Sequence, residues 1–178
     1  RRGLLLIAAL GIYALLFETI AVKTGLPYGN FGYGGLLGPK LFDAAPATVL
    51  IAWTPLVLGI LAVLQTIKPL WKQALLATLG LVVTDMVLDP AAVHIGFWSW
   101  TMPGLYYGVP IVNFVGWTIS GGIAVCAIIY ARRRFNWPPI PAMLGWNLLA
   151  ILFLWTMVNL FAGQLIPAIL GFVVCGVL

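Results

Sequence analysis

Two acidic residues, Asp85 and Asp89, stand four positions apart at the end of an apolar run. If that run is helical, the spacing puts both carboxyl groups on one face, one turn apart. A carboxylate inside a membrane span costs about 2.5–3.5 kcal/mol, so acids found there are candidates for function. Two neighbouring carboxyl groups in apolar surroundings cannot both ionise easily, and one can keep a proton for general acid catalysis. The structural alternative is that Asp89 ends a helix before Pro90 while Asp85 bonds a neighbouring span.

Glu18 is a third acid within an apolar run and a candidate for the same site. Its structural alternative is a pairing with Lys23 or Lys40 at the membrane interface. A magnesium–diphosphate site is disfavoured, because it needs more carboxylates and closer cations than a single D-x-x-x-D pattern offers. His94 is the only histidine in the sequence, so no histidine-based metal site is predicted. It either relays protons near the acids or makes a structural hydrogen bond.

The composition of the chain indicates the kind of protein in which these residues are positioned. Of its 178 residues 63% are hydrophobic and only 7% are charged, which is too few charges to cover a soluble protein of this length. This excludes a secreted disulfide scaffold, a nucleic-acid-binding module and a disordered tail. The net charge of +5 is interpreted as membrane topology, not as a nucleic-acid site. Cys126 and Cys175 lie in apolar runs and are interpreted as small core residues.

Six apolar runs predict an all-α fold, a polytopic transmembrane bundle of about six spans that forms one domain over residues 1–178. The third span is expected to end at Asp89-Pro90, because the residue before a proline disfavours the helical conformation. The last run is short, so we expect it to be tilted, broken by Pro167 or truncated. The runs cover approximately residues 3–22, 45–67, 73–88, 113–130, 142–160 and 164–178.

The basic residues predict how the bundle is oriented. Lys and Arg are enriched in cytoplasmic loops, and six spans place seven of the nine cations on one side, including Arg132, Arg133 and Arg134. Both termini are therefore expected in the cytoplasm of a bacterial or archaeal cell membrane, and all four acids near the outer side. No cleavable signal peptide is recognisable, and the abrupt start at Arg1-Arg2 is compatible with missing upstream residues.

Aromatic residues crowd the side of the membrane that carries the acids. Two Gly- and aromatic-rich loops hold most of them, and we expect these loops to be re-entrant or interfacial. The rings are typical of an interfacial belt, but ring faces can also stabilise a cation by up to ~2 kcal/mol each. Aromatic residues beside acids, without a cofactor motif, suit carbocation chemistry on an apolar substrate. The residues are Tyr28, Phe31, Tyr33, Phe97, Trp98, Trp100, Tyr106, Tyr107, Phe114 and Trp117.

Three blocks of sequence, in this order, resemble one known family. The first is Glu18 with TGLPYGNFGY at 24–33 and LGP at 37–39; the others are DxxxDPAAVHxGFWSW at 85–100 and YGVPIVNFVGW at 107–117. They are similar to the CruF-like family of carotenoid biosynthesis membrane proteins, which includes gamma-carotene 1′,2′-hydratases and bisanhydrobacterioruberin hydratases. The resemblance covers about residues 18–117, and residues 118–178 match in hydropathy. Members of that family are longer and usually have additional spans.

The resemblance implies a hydratase, a hydro-lyase without a cofactor, that adds water to the terminal C=C of a linear carotenoid. Asp85 or Asp89 would then donate the proton that creates a tertiary carbocation. The water would be held by Glu18, Asn30 or Asn113. Trp98, Trp100 and Tyr107 would lie beside the cation, and the other expected substrate-binding residues are Tyr28, His94 and Trp117.

Two other functions remain open at the level of sequence. A carotenoid end-ring cyclase also begins by protonating an olefin, and it differs in excluding water. A non-enzymatic carotenoid- or lipid-binding membrane protein would need the aromatic residues but not the paired acids, so Asp85 and Asp89 favour an enzyme. The expected partners are a carotenoid substrate and membrane lipid, with no nucleic acid, no metal and no cofactor.

Overall fold

Six α-helices make up most of the computed structural model, which describes residues 2–177 and leaves Arg1 and Leu178 outside the description. This confirms the predicted all-α helical bundle. Four of the helices are 19 to 25 residues long and apolar enough to cross a membrane, and the other two are shorter. The helices are α1 (Arg2–Thr24), α2 (Val49–Leu64), α3 (Leu70–His94), α4 (Ile111–Arg134), α5 (Met143–Phe161) and α6 (Leu165–Val177).

Large apolar side chains cover much of the outside of the bundle. On α1 they include Leu4, Ile12 and Ile20, and on α3 Leu75 and Leu79, all of them exposed. A continuous apolar surface of this kind is unfavourable in water and matches the hydrocarbon of a bilayer. The chain is therefore a membrane protein.

Helix α3 does not stop at Asp89-Pro90, so the predicted end of the third span is wrong. The helix continues through Pro90 to His94. A proline inside a helix lacks the N–H that would bond the carbonyl four residues earlier, here that of Met86. The Tyr106 hydroxyl donates to the Met86 carbonyl oxygen at 3.0 Å and replaces the missing bond. This contact from a distant loop keeps the last turn helical and moves His94 from a predicted loop to a helix end.

Helix α6 is not broken by Pro167. The helix begins at Leu165, so Pro167 lies in its first turn. The first N–H groups of a helix have no partner within the helix, and a proline there costs no internal hydrogen bond. The short last run thus forms one continuous helix of 13 residues.

Close packing between helices depends on small residues. A methyl group added to Gly59 of α2 would meet the side chain of Leu148 on α5, and one added to Gly116 of α4 would meet the ring of Tyr28. Small residues allow neighbouring backbones to approach closely in membrane bundles. Helix α1 packs on α2, α3 on α4 and α5 on α6, and α5 also contacts α2 and α3.

The two Gly- and aromatic-rich loops pair with each other through short strands. Strand β1 (Phe31–Tyr33) lies antiparallel to β4 (Trp98–Trp100), with Phe31 opposite Trp100 and Tyr33 opposite Trp98. The first loop also contains a short hairpin, in which β2 (Lys40–Leu41) pairs with β3 (Ala45–Pro46). The β1–β4 ribbon joins the segment after α1 to the segment after α3. It brings aromatic residues from both loops to one end of the bundle.

Candidate active site

An apolar cavity of about 310 Å³ lies under the β1–β4 ribbon, between α1, α2, α3, α4 and α5. Three of its lining residues carry a carboxyl or amide group: Glu18, Asp89 and Asn113. The rest of the wall is mainly aromatic and aliphatic. The main lining side chains are Tyr28, Phe31, Tyr33, Leu37, Trp53, Leu56, Leu88, Phe97, Trp98, Trp100, Trp117, Ile151 and Trp155.

A single amide holds the two aspartates together. The Nδ2 atom of Asn113, in the first turn of α4, donates to Asp85 Oδ2 at 2.8 Å and to Asp89 Oδ2 at 2.6 Å. All three side chains are buried. The helical spacing of four residues places both carboxyl groups on the face of α3 that meets α4, as predicted from the sequence.

The two aspartates differ in their access to the cavity. Asp89 is among the residues that line it, whereas Asp85 is not among the described lining residues. Asp85 lies one turn deeper in the bundle, and its Oδ1 atom is buried with no hydrogen-bond partner among residues 2–177. Asp89 is therefore the carboxyl group that can touch a molecule in the cavity, and Asp85 can act only through Asp89 or Asn113.

Glu18 of α1 presents its carboxyl group to the same cavity and is held at both oxygens. The Tyr33 hydroxyl donates to Oε2 at 2.9 Å, and the Trp53 Nε1 atom donates to Oε1 at 3.3 Å. Burial, and secondly the neighbouring Glu18 carboxyl, hold the pKa of the Tyr33 hydroxyl well above its usual range. Tyr33 thus remains a proton-bearing donor that orients Glu18. The predicted alternative, a pairing with Lys23 or Lys40, is not the contact that Glu18 makes.

Aromatic rings surround the space between these acids. Trp53 stacks on Trp117 with ring centroids 4.6 Å apart, and the indole of Trp100 lies 5.8 Å from the ring of Phe31. Tyr33 meets Trp98 edge to face. Such rings carry negative charge on their faces and attract a cation placed over them. The cavity therefore combines carboxyl groups with surfaces that favour positive charge.

Hydrogen bonds fix several of the rings. Trp100 Nε1 donates to the backbone carbonyl of Tyr28 at 2.8 Å. The Tyr28 hydroxyl donates to Ser120 Oγ at 2.7 Å, and Ser120 in turn donates to the Gly116 carbonyl. Because the polar atoms of these rings are satisfied by the protein, the rings present their apolar faces to the cavity.

Most of the predicted site residues come together. Five of the eight expected substrate-binding residues line the cavity with Glu18 and Asp89, and Asp85 adjoins them. These five are Tyr28, Trp98, Trp100, Asn113 and Trp117. Asn113 bonds both aspartates through its Nδ2 atom, and the expectation that it holds water stays a prediction.

Three predicted residues lie away from the cavity. Asn30 is exposed, and its side chain lies against Gly25. The Tyr107 hydroxyl accepts a long hydrogen bond from the backbone N–H of Ile166, at 3.4 Å. His94 is exposed at the end of α3, in a separate groove formed with α5, because α3 continues past Pro90.

Two lining tryptophans were not predicted as site residues. Trp53 of α2 donates to Glu18, and Trp155 of α5 contacts Phe97 across the cavity edge to face, with ring centroids 5.9 Å apart. A buried indole N–H needs a partner, and Glu18 is an acid that a neighbouring span could offer. The need of a buried indole for an acceptor is therefore a sequence signal that could have identified Trp53 as a site residue. Nothing in the local sequence marks Trp155, because the direction in which α5 faces follows from helix packing.

The described residues contain no group of three or more His, Cys, Asp or Glu side chains that could hold a metal ion. Glu18 and Asp89 both line the cavity, but each already accepts hydrogen bonds from neighbouring side chains. The arrangement is suited to proton transfer and to stabilisation of positive charge by protein groups.

These features define a polytopic membrane protein, a helical bundle with buried carboxyl groups beside an aromatic cavity. The model of the carotenoid biosynthesis protein family matches residues 1–178, and the chain belongs to this family. It is 39% identical over 180 residues to a protein of Haloarcula japonica named bisanhydrobacterioruberin hydratase. That match covers 94% of this chain but 59% of the relative, so the chain spans about three fifths of the relative's length. No solved structure matches the chain.

Proposed function

We propose that the protein is a carotenoid 1,2-hydratase, which adds water to the terminal C=C of a linear carotenoid end. The observation that carries the proposal is the position of Asp89, a buried carboxyl group that faces an aromatic cavity opposite a second acid, Glu18. The name of the Haloarcula japonica relative supports the reaction class. The reaction needs only an acid, a cation-stabilising pocket and water, so we infer that no cofactor takes part.

Asp89 is proposed as the proton donor. The π electrons of the terminal C=C take the proton of Asp89 onto the less substituted carbon, and a new C–H bond forms there. The other carbon becomes a tertiary cation. The Asp85–Asp89 pair can hold one proton between the two groups, because adjacent carboxylates repel each other when both are ionised. Asp85 is a positioning residue in this scheme, since Asn113 ties it to Asp89.

Water captures the cation in the second half of the reaction. The rings of Trp53, Trp98 and Trp117 are proposed to stabilise the cation, and the carboxylate of Glu18 to orient the water. An oxygen lone pair of the water forms the new C–O bond, and the resulting oxonium releases one proton. That proton returns to Asp89, which restores the acid. The net change is the addition of one water molecule across the double bond.

The size of the cavity limits what it can hold. The volume of the cavity is about 310 Å³. We infer that it takes the end of an isoprenoid chain and a water molecule, and not a whole carotenoid. The remainder of the polyene must lie outside the cavity during the reaction.

The cavity reaches the surface beside the first half of α2. Of its described lining residues, Thr48 and Ala52 are the exposed ones, and both precede the helix residue Pro55. The neighbouring Ile51 is exposed but does not line the cavity. We infer that the carotenoid end reaches Asp89 sideways from the bilayer, through the gap at Ala52.

The proposal includes the location of the protein and its orientation in the membrane. We infer that residues 1–178 act as a single transmembrane domain in the cell membrane of a bacterium or archaeon, in contact with membrane lipid. The ends of α3 and α4 that carry Lys72 and Arg132–Arg134 are proposed to face the cytoplasm, since basic residues are enriched there. Glu18 and the aspartates then lie near the outer side.

Expression in bacteria that produce lycopene or gamma-carotene, followed by mass analysis of the pigments, tests the function. A mass gain of one water per modified end supports the hydratase. An isomer of unchanged mass would identify a cyclase, which has the same acid but excludes water. Carotenoid that co-purifies with the protein and is never converted would identify a carrier and overturn the proposed reaction.

A further inference from the structure

A second pocket, of about 530 Å³, lies far from the cavity, where the α2–α3 connection meets the end of α4. Its wall is polar and basic, in contrast to the apolar wall of the cavity. No carboxylate is among the described residues that line it. The lining residues are Gln65, Lys68, Leu70, Gln73, Ile129, Arg132, Arg133, Asn136 and Trp137.

The amide side chains of this pocket are used to build its walls. Gln65 accepts from the Ile140 N–H at 3.0 Å and donates to the Ile140 carbonyl at 3.1 Å, which ties α2 to the segment before α5. Gln73 donates to the Leu64 carbonyl at 3.0 Å. These bonds make the pocket a built feature and not a gap between loose loops. Three cations, Lys68, Arg132 and Arg133, line the same pocket.

The Arg132 guanidinium makes one hydrogen bond and has a second donor atom without a partner. Its Nη2 atom donates to the Pro138 carbonyl at 3.3 Å, while its Nε atom is buried without a partner in the part of the chain that is described. A guanidinium has five N–H donors, and the bond to Pro138 uses one of them. Because the side chain is partly exposed and lines the pocket, its terminal N–H groups, and not Nε, are the ones that an acceptor from outside the chain can reach.

We propose that this pocket binds the phosphate group of an anionic ligand, with Arg132 as the central contact and Lys68 and Arg133 at its sides. Guanidinium groups and phosphate oxygens form short charge-assisted hydrogen bonds. Basic pockets between membrane helices bind the head groups of anionic lipids, and the same chemistry would accept a soluble phosphate. The proposal does not depend on the hydratase reaction, because the pocket shares no lining residue with the cavity.

Native mass spectrometry of the purified chain in neutral detergent tests the site. The probes are phosphatidylglycerol, phosphatidylcholine with the same acyl chains, and inorganic phosphate. Arg132→Gln is expected to weaken phosphatidylglycerol binding by about tenfold, the effect of losing one hydrogen bond to a charged group. Arg134→Gln is the matched control, since it removes one charge from the same cluster but lies outside the pocket, over the ring of Phe135. It is expected to change binding by less than about twofold.

A second pair of variants tests the site independently, in case Arg132→Gln does not fold. Lys68→Gln is expected to weaken binding, and Lys72→Gln, which lies outside the pocket, is the control. Competition by inorganic phosphate would identify a soluble phosphate as the ligand, and its absence a lipid head group. The proposal is overturned if neither phosphatidylglycerol nor inorganic phosphate binds, if phosphatidylcholine binds as well as phosphatidylglycerol, or if pocket and control variants weaken binding equally.

Discussion

The two ends of helices α3 and α4 carry charges of opposite sign, and the surroundings of those charges differ. At one end, Asn113 bonds Asp85 and Asp89 at the edge of an apolar cavity that Asp89 lines and Asp85 does not. At the other, Arg132 lines a polar pocket with a buried Nε atom that has no partner in the described chain. At 1.5 Å of rise per residue, Asn113 and Arg132 lie about 28 Å apart along α4, close to the thickness of the bilayer hydrocarbon.

The difference lies in what surrounds the charged groups, since each end has one buried side-chain atom without a partner among residues 2–177. Glu18 and Asp89 lie among aromatic rings, and the hydrogen bonds they accept come from the side chains of Tyr33, Trp53 and Asn113. The basic end has a polar wall and adjoins loops, so an acceptor can come from water or from a ligand. A fixed arrangement of acids suits catalysis, whereas incompletely paired cations suit binding. Substitutions at each end can test this distinction.

The largest loss is expected from Asp89→Asn. General acid catalysis contributes about 10²- to 10⁴-fold, and this variant keeps the shape of the side chain while removing the proton. We expect hydration in isolated membranes, measured by pigment mass, to fall by about 10³-fold. Asp43→Asn, at an exposed turn, and Lys72→Gln, at the basic end, are matched controls. Equal losses of hydration in Asp89→Asn and Lys72→Gln would contradict the assignment of catalysis to the acidic end.

Glu18→Gln is expected to have the next largest effect, and to change the product as well as the rate. The amide cannot accept hydrogen bonds from both Tyr33 and Trp53 and also orient a water molecule, so capture of the cation becomes slow. We expect roughly a 10²-fold loss of hydration, of the size caused by misplacing a reactant. The cation then loses a proton and forms an isomer of unchanged mass, which liquid chromatography separates. A variant that makes only hydrated product at the normal rate would exclude Glu18 from water binding.

Asp85→Asn separates positioning from catalysis. Because Asp85 bonds Asn113 but does not line the cavity, we expect kcat to fall by about tenfold while KM stays the same, as for an interaction that acts only in the transition state. The measurement is a titration with carotenoid in detergent. A loss as large as that of Asp89→Asn, or a change confined to KM, would contradict the assignment of roles.

Ala52→Trp tests the side opening and should give the smallest of these effects. The indole would narrow the gap without touching the acids, so we expect KM to rise by roughly fivefold with kcat little changed. Ile51→Trp is the control, since Ile51 is exposed on the neighbouring position but does not line the cavity. If the two variants behave alike, the carotenoid end does not pass Ala52.

Hydropathy and residue spacing were sufficient to predict the helices and the helix face shared by the two aspartates. The six apolar runs became six helices, and the four-residue spacing of Asp85 and Asp89 placed both on one face. The end of α3 was predicted wrongly, because the rule for proline is local while the Tyr106 hydroxyl that compensates for Pro90 comes from another loop. The same error put His94 near the acids.

The wall of the cavity could be predicted only in part. Trp98 and Trp100 follow the aspartates closely in sequence, and Tyr28 and Trp117 belong to recognisable blocks. Trp155 stands on α5, whose sequence carries no signal of the direction it faces. The pairing of β1 with β4 joins two loops separated by two helices. Such contacts depend on packing between distant elements, which spacing along the chain does not encode.

The gap at Ala52 has a consequence for carotenoids with two reactive ends. The β1–β4 ribbon covers the cavity, and we propose that the cavity takes one end of a polyene while the other end stays in the bilayer. Under the proposed function, the hydrated end must withdraw before the molecule can turn and present its second end. Hydration is then distributive: singly modified carotenoid is released into the membrane and accumulates early, where other enzymes can compete for its unmodified end.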